Sequence, residues 1–158
     1  MDDGQILSRL AELGLELPPV PEAIAAYVPC VVRGDLAFVA GQIPMIDGVM
    51  LNPGFLGEHV SVDEGADAAR RAALQGLSAL RDGLGGSFAQ LEGIVQVVVF
   101  VATVRGFVDH PKVANGASEL LVDVLGDAGR HARAAVGVVS LPLGAPVEVV
   151  ITAAVASG

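Results

Sequence analysis

The sequence predicts an α+β domain: one mixed sheet with two main helices on one face and a short helix ahead of them. Two stretches carry apolar residues at helical spacing, from about residue 61 to 84 and from Pro111 to Gly126. Between and around them lie β-branched apolar runs of strand length, and Gly, Pro and Asp residues punctuate the joins.

In chain order, Ile6, Leu7, Leu10 and Leu13 place an amphipathic helix over Gln5 to Leu13, which the Pro18-Pro19 and Pro21 cluster ends. Two strands follow, Tyr27 to Arg33 and Leu36 to Gly41, with Gly34-Asp35 as a hairpin turn. Gln42 to Val60, rich in Gly and Pro, reads as a loop. Ser61-Val62-Asp63-Glu64 is a capping box, in which the serine hydroxyl takes the amide three residues on and Glu64 reaches back. The helix it opens runs to about Leu84. Its inner stripe is Ala69, Ala72, Ala73, Gly76, Leu77, Leu80 and Leu84, with Asp67, Arg70, Arg71 and Arg81 turned away. Small side chains let such a helix lie close to a sheet.

Ile94 to Ala102 is β-branched and almost uniformly apolar, as a strand covered on both faces would be. Pro111 fits the first turn of a second helix with the stripe Val113, Ala114, Ala117, Leu120, Leu121 and Val124, stopped at Gly126. Ala134 to Val139 reads as a buried strand with Arg133 at its head. Leu141 to Pro146 makes a turn, and the last apolar strand carries a single acid, Glu148. The order is therefore α-ββ-α-β-α-ββ, with the sheet face away from the helices free and apolar.

A chain of 158 residues is read as one domain, 1–158, in which 1–20 form an N-terminal helical extension. Apolar residues make 53% and charged residues 17%, and the mean hydropathy is +0.62. One small globule cannot hide that much apolar surface, so an oligomer is expected. The longest apolar stretch, Val97 to Val104, contains Thr103 and meets Arg105, far short of the roughly 18 residues of a spanning helix. Met1-Asp2-Asp3-Gly4 is acidic with no apolar core behind it, so the expected location is cytoplasmic, with no membrane partner.

Cys30 is the only cysteine, which excludes an intrachain disulfide and thiolate metal sites. His59, His110 and His131 lack metal spacing, and no glycine loop suits a phosphate, so neither metal nor cofactor is expected. A net charge of −9 repels phosphate backbones; Lys112 is the only lysine and Arg70-Arg71 the only basic pair. Nucleic acid is therefore not an expected partner.

Arg133 is the most informative residue. A guanidinium keeps its charge, and beside an apolar run it needs an anion, supplied by one of the eighteen acidic residues or by a ligand. The other candidates also have two readings. Glu148 is an outward strand glutamate or a reacting carboxylate, and Tyr27 a core aromatic or a ligand contact. Gly41 is a strand-end glycine or a point of close backbone approach, and Asn115 an exposed helical residue or part of a site. His131 reads as solvated and Cys30 as a small buried hydrophobe.

Tyr27, then Phe38-Val39-Ala40-Gly41-Gln42-Ile43-Pro44, then Asn115, then Ala132-Arg133 with the Leu141-Pro142 turn, then Val147-Glu148-Val149 form an ordered set. In order and nearly in spacing, it resembles the Rid (YjgF-like) family, small trimeric proteins many of which hydrolyse reactive enamines and imines derived from amino acids. The resemblance runs from about residue 20 to the C-terminus. It implies a chorismate-mutase-like fold and a homotrimer whose three sheets close around a shared core, with clefts between neighbouring subunits. In those clefts it implies Arg133 as the anchor for a substrate carboxylate and Glu148 as the residue that stabilises the iminium and guides water. Tyr27, Gly41 and Asn115 are implied as ligand contacts.

The chain departs from the family at Val150, where relatives often have a further acid, at Ala135, often cysteine, and at Ala40, often serine. The segment from Asn115 to Arg133 is also about one residue longer. A thiol or hydroxyl mechanism at positions 40 and 135 is thereby excluded. The expected function is cofactor-free hydrolysis of 2-imino and enamine acids to 2-keto acids and ammonia. The alternative is a trimer that binds a carboxylate metabolite without turning it over. Some family members are described as ribonucleases, a role that the charge opposes here.

Overall fold

A computed structural model describes residues 1–20 and 26–156. Helix α1 spans Asp3–Glu12 and is capped by Asp2, whose side chain accepts the Gln5 amide at 2.9 Å. Ile6 and Leu10 are buried but Leu7 stays 38% exposed, so the seated stripe is narrower than the spacing predicts. The chain leaves the helix at Gly14, whose φ of 69° suits a glycine stop, well before Pro18. Pro21, part of the predicted stop, lies outside the described residues.

Strands β1 (Cys30–Arg33) and β2 (Leu36–Gln42) form the expected hairpin, but β1 begins at Cys30 rather than at Tyr27. Pro29 has no N–H to give; its carbonyl takes the Ala40 amide at 2.9 Å and closes the ladder. The segment 42–60, read as loop, contains a second hairpin, β3 (Met45–Ile46) and β4 (Val49–Met50). Asp47-Gly48 turns it with φ of 49° and 80°, the left-handed pair of a type I′ turn. An Asp-Gly pair between two apolar dipeptides is the sequence signal for it.

Helix α2 (Val62–Gly83) opens with both halves of the predicted capping box: the Glu64 amide donates to Ser61 Oγ at 3.2 Å and the Ser61 amide to Glu64 Oε2 at 2.8 Å. Strand β5 (Leu91–Ala102), helix α3 (His110–Leu125), strand β6 (Ala132–Val138) and strand β7 (Val147–Val155) complete the fold. Short 3-10 turns lead into β6 at Gly126–Gly129 and sit between β6 and β7 at Pro142–Gly144. The three arginines of α2 predicted to face away from its inner stripe are not idle. Arg81 forks onto Asp3 at 3.0 and 3.1 Å, Arg71 donates to the Met45 carbonyl at 2.7 Å, and Arg70 lies 3.6 Å from Asp123. They tie α1, β3 and α3 to α2.

The five-stranded sheet has the order β1-β2-β7-β5-β6, with β5 and β6 parallel and the other pairs antiparallel. Helices α2 and α3 cover one face. On that face Ala37, Val97, Val99, Val101, Val147, Val149 and Ile151 are all 0% exposed. On the other face Phe38 is 46% and Val136 43% exposed. Two expectations change as a result. Strand β5 is covered by this chain on one face only, and β6 is an edge strand rather than a buried one. Apart from Gln96, both are mainly apolar on the side that their own chain leaves open. Among the described residues no helix is long and apolar enough to cross a membrane.

Candidate functional site

Arg133 pairs with Val97 in the parallel ladder, which turns its side chain to the helix face at the sheet edge. Its Nη1 donates to Asn115 Oδ1 at 2.9 Å and to Ser118 Oγ at 3.2 Å, both on α3. Ser118 Oγ in turn lies 3.0 Å from His131 Nε2, and His131 Nδ1 lies 2.6 Å from the Gly129 carbonyl. Among the described residues Arg133 makes no ion pair: the internal pair that the sequence allowed is not formed, and neutral groups hold the guanidinium instead. His131, read as solvated, is bonded at both ring nitrogens.

Glu148 faces the other way. Its neighbours Val147 and Val149 point into the helix layer at 0% exposure, so the glutamate projects from the open face, opposite Phe100. Burial alone pushes its carboxyl above the usual carboxylate range. The carboxylate rests on Gly41. There, β2 bulges: Val39 pairs with Ile151 and Gln42 with Val149, so Ala40 and Gly41 together stand opposite Val150. A Cβ on residue 41 would overlap the Glu148 carboxylate, which is the physical reason for glycine at that point.

One chain therefore brings the five predicted site residues together in two pairs and leaves one apart. Arg133 meets Asn115 on the helix face, and Glu148 meets Gly41 on the open face. Tyr27 lies ahead of β1, 57% exposed, so it is not a core aromatic. Cys30, predicted as buried, is half-buried, and burial raises its thiol pKa.

Two residues of the Arg133 network were not candidates on sequence: Ser118 and His131. Their spacing is the signal. Ser118 is three residues beyond Asn115, the distance that puts two side chains on one helix face, and His131 precedes Arg133 by two, the strand repeat. Among the described residues no three His, Cys, Asp or Glu side chains gather as a metal site would require. An always-charged donor fork held by neutral acceptors has the chemistry to take an anion, and the carboxylate on the opposite face is suited to a cation or a proton.

Sheet order, one-sided helices and these positions define a class. The family described as "YjgF/chorismate_mutase-like, putative endoribonuclease" matches residues 7–155, and the chain belongs to it. Protein TCP17 of Trypanosoma cruzi is 41% identical over 147 residues, 92% of this chain and 91% of that protein. The crystal structure of Atu1372 from Agrobacterium tumefaciens, a protein of unknown function, is 39% identical with a TM-score of 0.91, covering 98% of this chain and 94% of that one. A protein of Shewanella oneidensis that carries the same endoribonuclease description is 33% identical with a TM-score of 0.90, covering 94% and 98%. The fold expected from the resemblance is therefore the fold found.

Proposed function

We propose that this protein hydrolyses small 2-imino acids or enamines derived from amino acids to 2-keto acids and ammonia, without a cofactor, in clefts shared by neighbouring copies of a homotrimer. The observation that carries the reading is the division of the two charged site residues between opposite faces of the sheet. One ligand meets both only where the β6 edge of one copy lies against the open face of the next. That open face is apolar and offers the surface such an assembly would bury.

In this cleft Arg133 binds the substrate carboxylate through the N–H groups that Asn115 and Ser118 leave unused. The iminium end then lies toward Glu148 of the neighbouring copy. As water adds to the iminium carbon, Glu148 accepts a proton from it and passes that proton to the nitrogen of the resulting carbinolamine. The C–N bond breaks, the hydroxyl proton passes to the Glu148 carboxylate as the C=O forms, and the leaving ammonia takes that proton to depart as ammonium. Water supplies the oxygen and nothing is oxidised. Such imines already hydrolyse in water, so orientation and charge stabilisation need supply only modest acceleration.

The test is to generate 2-iminopropanoate with an amino-acid oxidase and follow its decay. Decay should quicken with the parent protein and measurably less with Glu148→Gln. Binding of 2-keto acids with no change in decay would replace this reading by that of a carboxylate-binding trimer. Nucleic acid has no part in the proposal, given the net charge of −9. Tight, salt-sensitive RNA binding would restore the ribonuclease reading.

A further inference from the structure

We infer that Ser118 and His131 are positioning residues that hold the Arg133 guanidinium so that its Nε–Nη2 edge meets a ligand carboxylate side-on. The inference rests on the proposed carboxylate role of Arg133 and adds how the contact is oriented and what sets it.

A backbone carbonyl can only accept, so the 2.6 Å contact with Gly129 places a proton on His131 Nδ1. In the neutral ring Nε2 is then an acceptor. Ser118 has one O–H, and it goes to Nε2 at 3.0 Å. The serine lone pairs are left for Arg133, whose Nη1 donates to them at 3.2 Å. Asn115 Oδ1 takes the second Nη1 proton at 2.9 Å. Both protons of Nη1 are thus spent. Of the five N–H groups of a guanidinium, Nε–H and the two on Nη2 remain, and Nε–H with the adjacent Nη2–H forms the parallel fork that matches two carboxylate oxygens.

The identity of each residue follows from the direction of this chain of bonds. Ser118 must accept at one end and donate at the other, and His131 must do the same across its ring, which hydroxyl and imidazole groups can do and an ammonium or a carboxylate cannot. Neutral partners also leave the guanidinium charge unopposed. An acid at 115 or 118 would fix the same geometry but spend the charge on an internal pair.

The test uses the full chain and 2-oxobutanoate as the probe, followed by calorimetric titration. Removing one hydrogen bond of the network, by Ser118→Ala or His131→Phe, should weaken binding about fivefold each, with the oligomer and Tm retained. Ser118→Thr keeps the hydroxyl and should bind close to the parent. Because the two residues act in one chain, the double variant should be little weaker than either single one. Parent-like binding by both single variants, or losses that simply add, would overturn the inference. Arg133→Lys separates the two levels. If it too binds like the parent, the carboxylate role itself fails; if it loses binding while Ser118→Ala and His131→Phe do not, only the positioning fails. In a crystal structure of the complex the carboxylate should lie on Nε and Nη2. A carboxylate found on Nη1 in place of Asn115 would also overturn it.

Discussion

The two faces of the sheet are built from the same kinds of residue and meet different fates. Along β7, Val147, Val149, Ile151 and Ala153 are sealed at 0% exposure on the face that α2 packs against, while the alternate positions Val150, Thr152 and Ala154 stay partly open. In β2 the same alternation sets buried Val39 beside Phe38 at 46% exposure. The helix face is finished by its own chain; the open face has the composition of an interior without its cover. The site repeats the contrast. Arg133 sits on the helix face in a network of hydrogen bonds, and Glu148 sits on the open face with only desolvation acting on its pKa.

The largest effect should come from breaking the finished face. Leu80 is 0% exposed, and Leu80→Ala should cost about 2–5 kcal/mol in chemical denaturation, since the rigid layer above it closes a cavity only in part. A charge on the open face should act differently. Phe38→Asp should leave the chain folded by circular dichroism but break the proposed homotrimer, so that light scattering reports about one chain per particle where the parent should give about three. Unfolding instead would mean that the open face also supports the single chain.

The pH dependence of turnover sharpens the contrast at the site. Since burial raises the Glu148 pKa, its carboxylate is lost at a higher pH than that of an exposed carboxyl group. The rate should therefore fall as pH drops through a range above the usual carboxylate values, and Glu148→Gln should lack that limb in kcat/KM profiles. A limb unchanged in the variant would assign it to another group.

The smallest effect belongs to the rim, where α1 joins the body. The Arg81 guanidinium and the Phe88 amide hold the Asp3 carboxyl below its usual range. A depressed pKa gives stability that is present above the unfolded-state value, about 3.9, and lost as pH falls through the lower folded value. Asp3→Asn should thus lower Tm slightly at pH 7, and the difference should vanish in strong acid. A difference that persists there would trace to packing rather than charge.

How much of this was legible in the sequence depends on the range of the interaction. The Ser61–Glu64 box, the stripe from Ala69 to Leu84, the glycine stop at Gly126 and the Gly34-Asp35 hairpin are contacts or repeats within a few residues, and they form as the spacing predicts. The Asp47-Gly48 hairpin was equally local and equally readable. Family resemblance put Arg133, Glu148, Gly41 and Asn115 forward as a set, but not the pairs in which one chain holds them.

By itself the sequence determined the elements, their order and the apolar surplus, because periodicity, caps and turns act along the chain. Only tertiary structure decided that β6 is an edge and that Arg133 and Glu148 face opposite ways. It also decided that Asn115 and Ser118 hold the guanidinium, with His131 bonded behind Ser118, and that Gly41 lies beneath a carboxylate. Strand order and facing come from pairing between distant segments, here β5 with β6 and β2 with β7. An apolar run looks the same whether its cover is a helix of its own chain or the face of another copy.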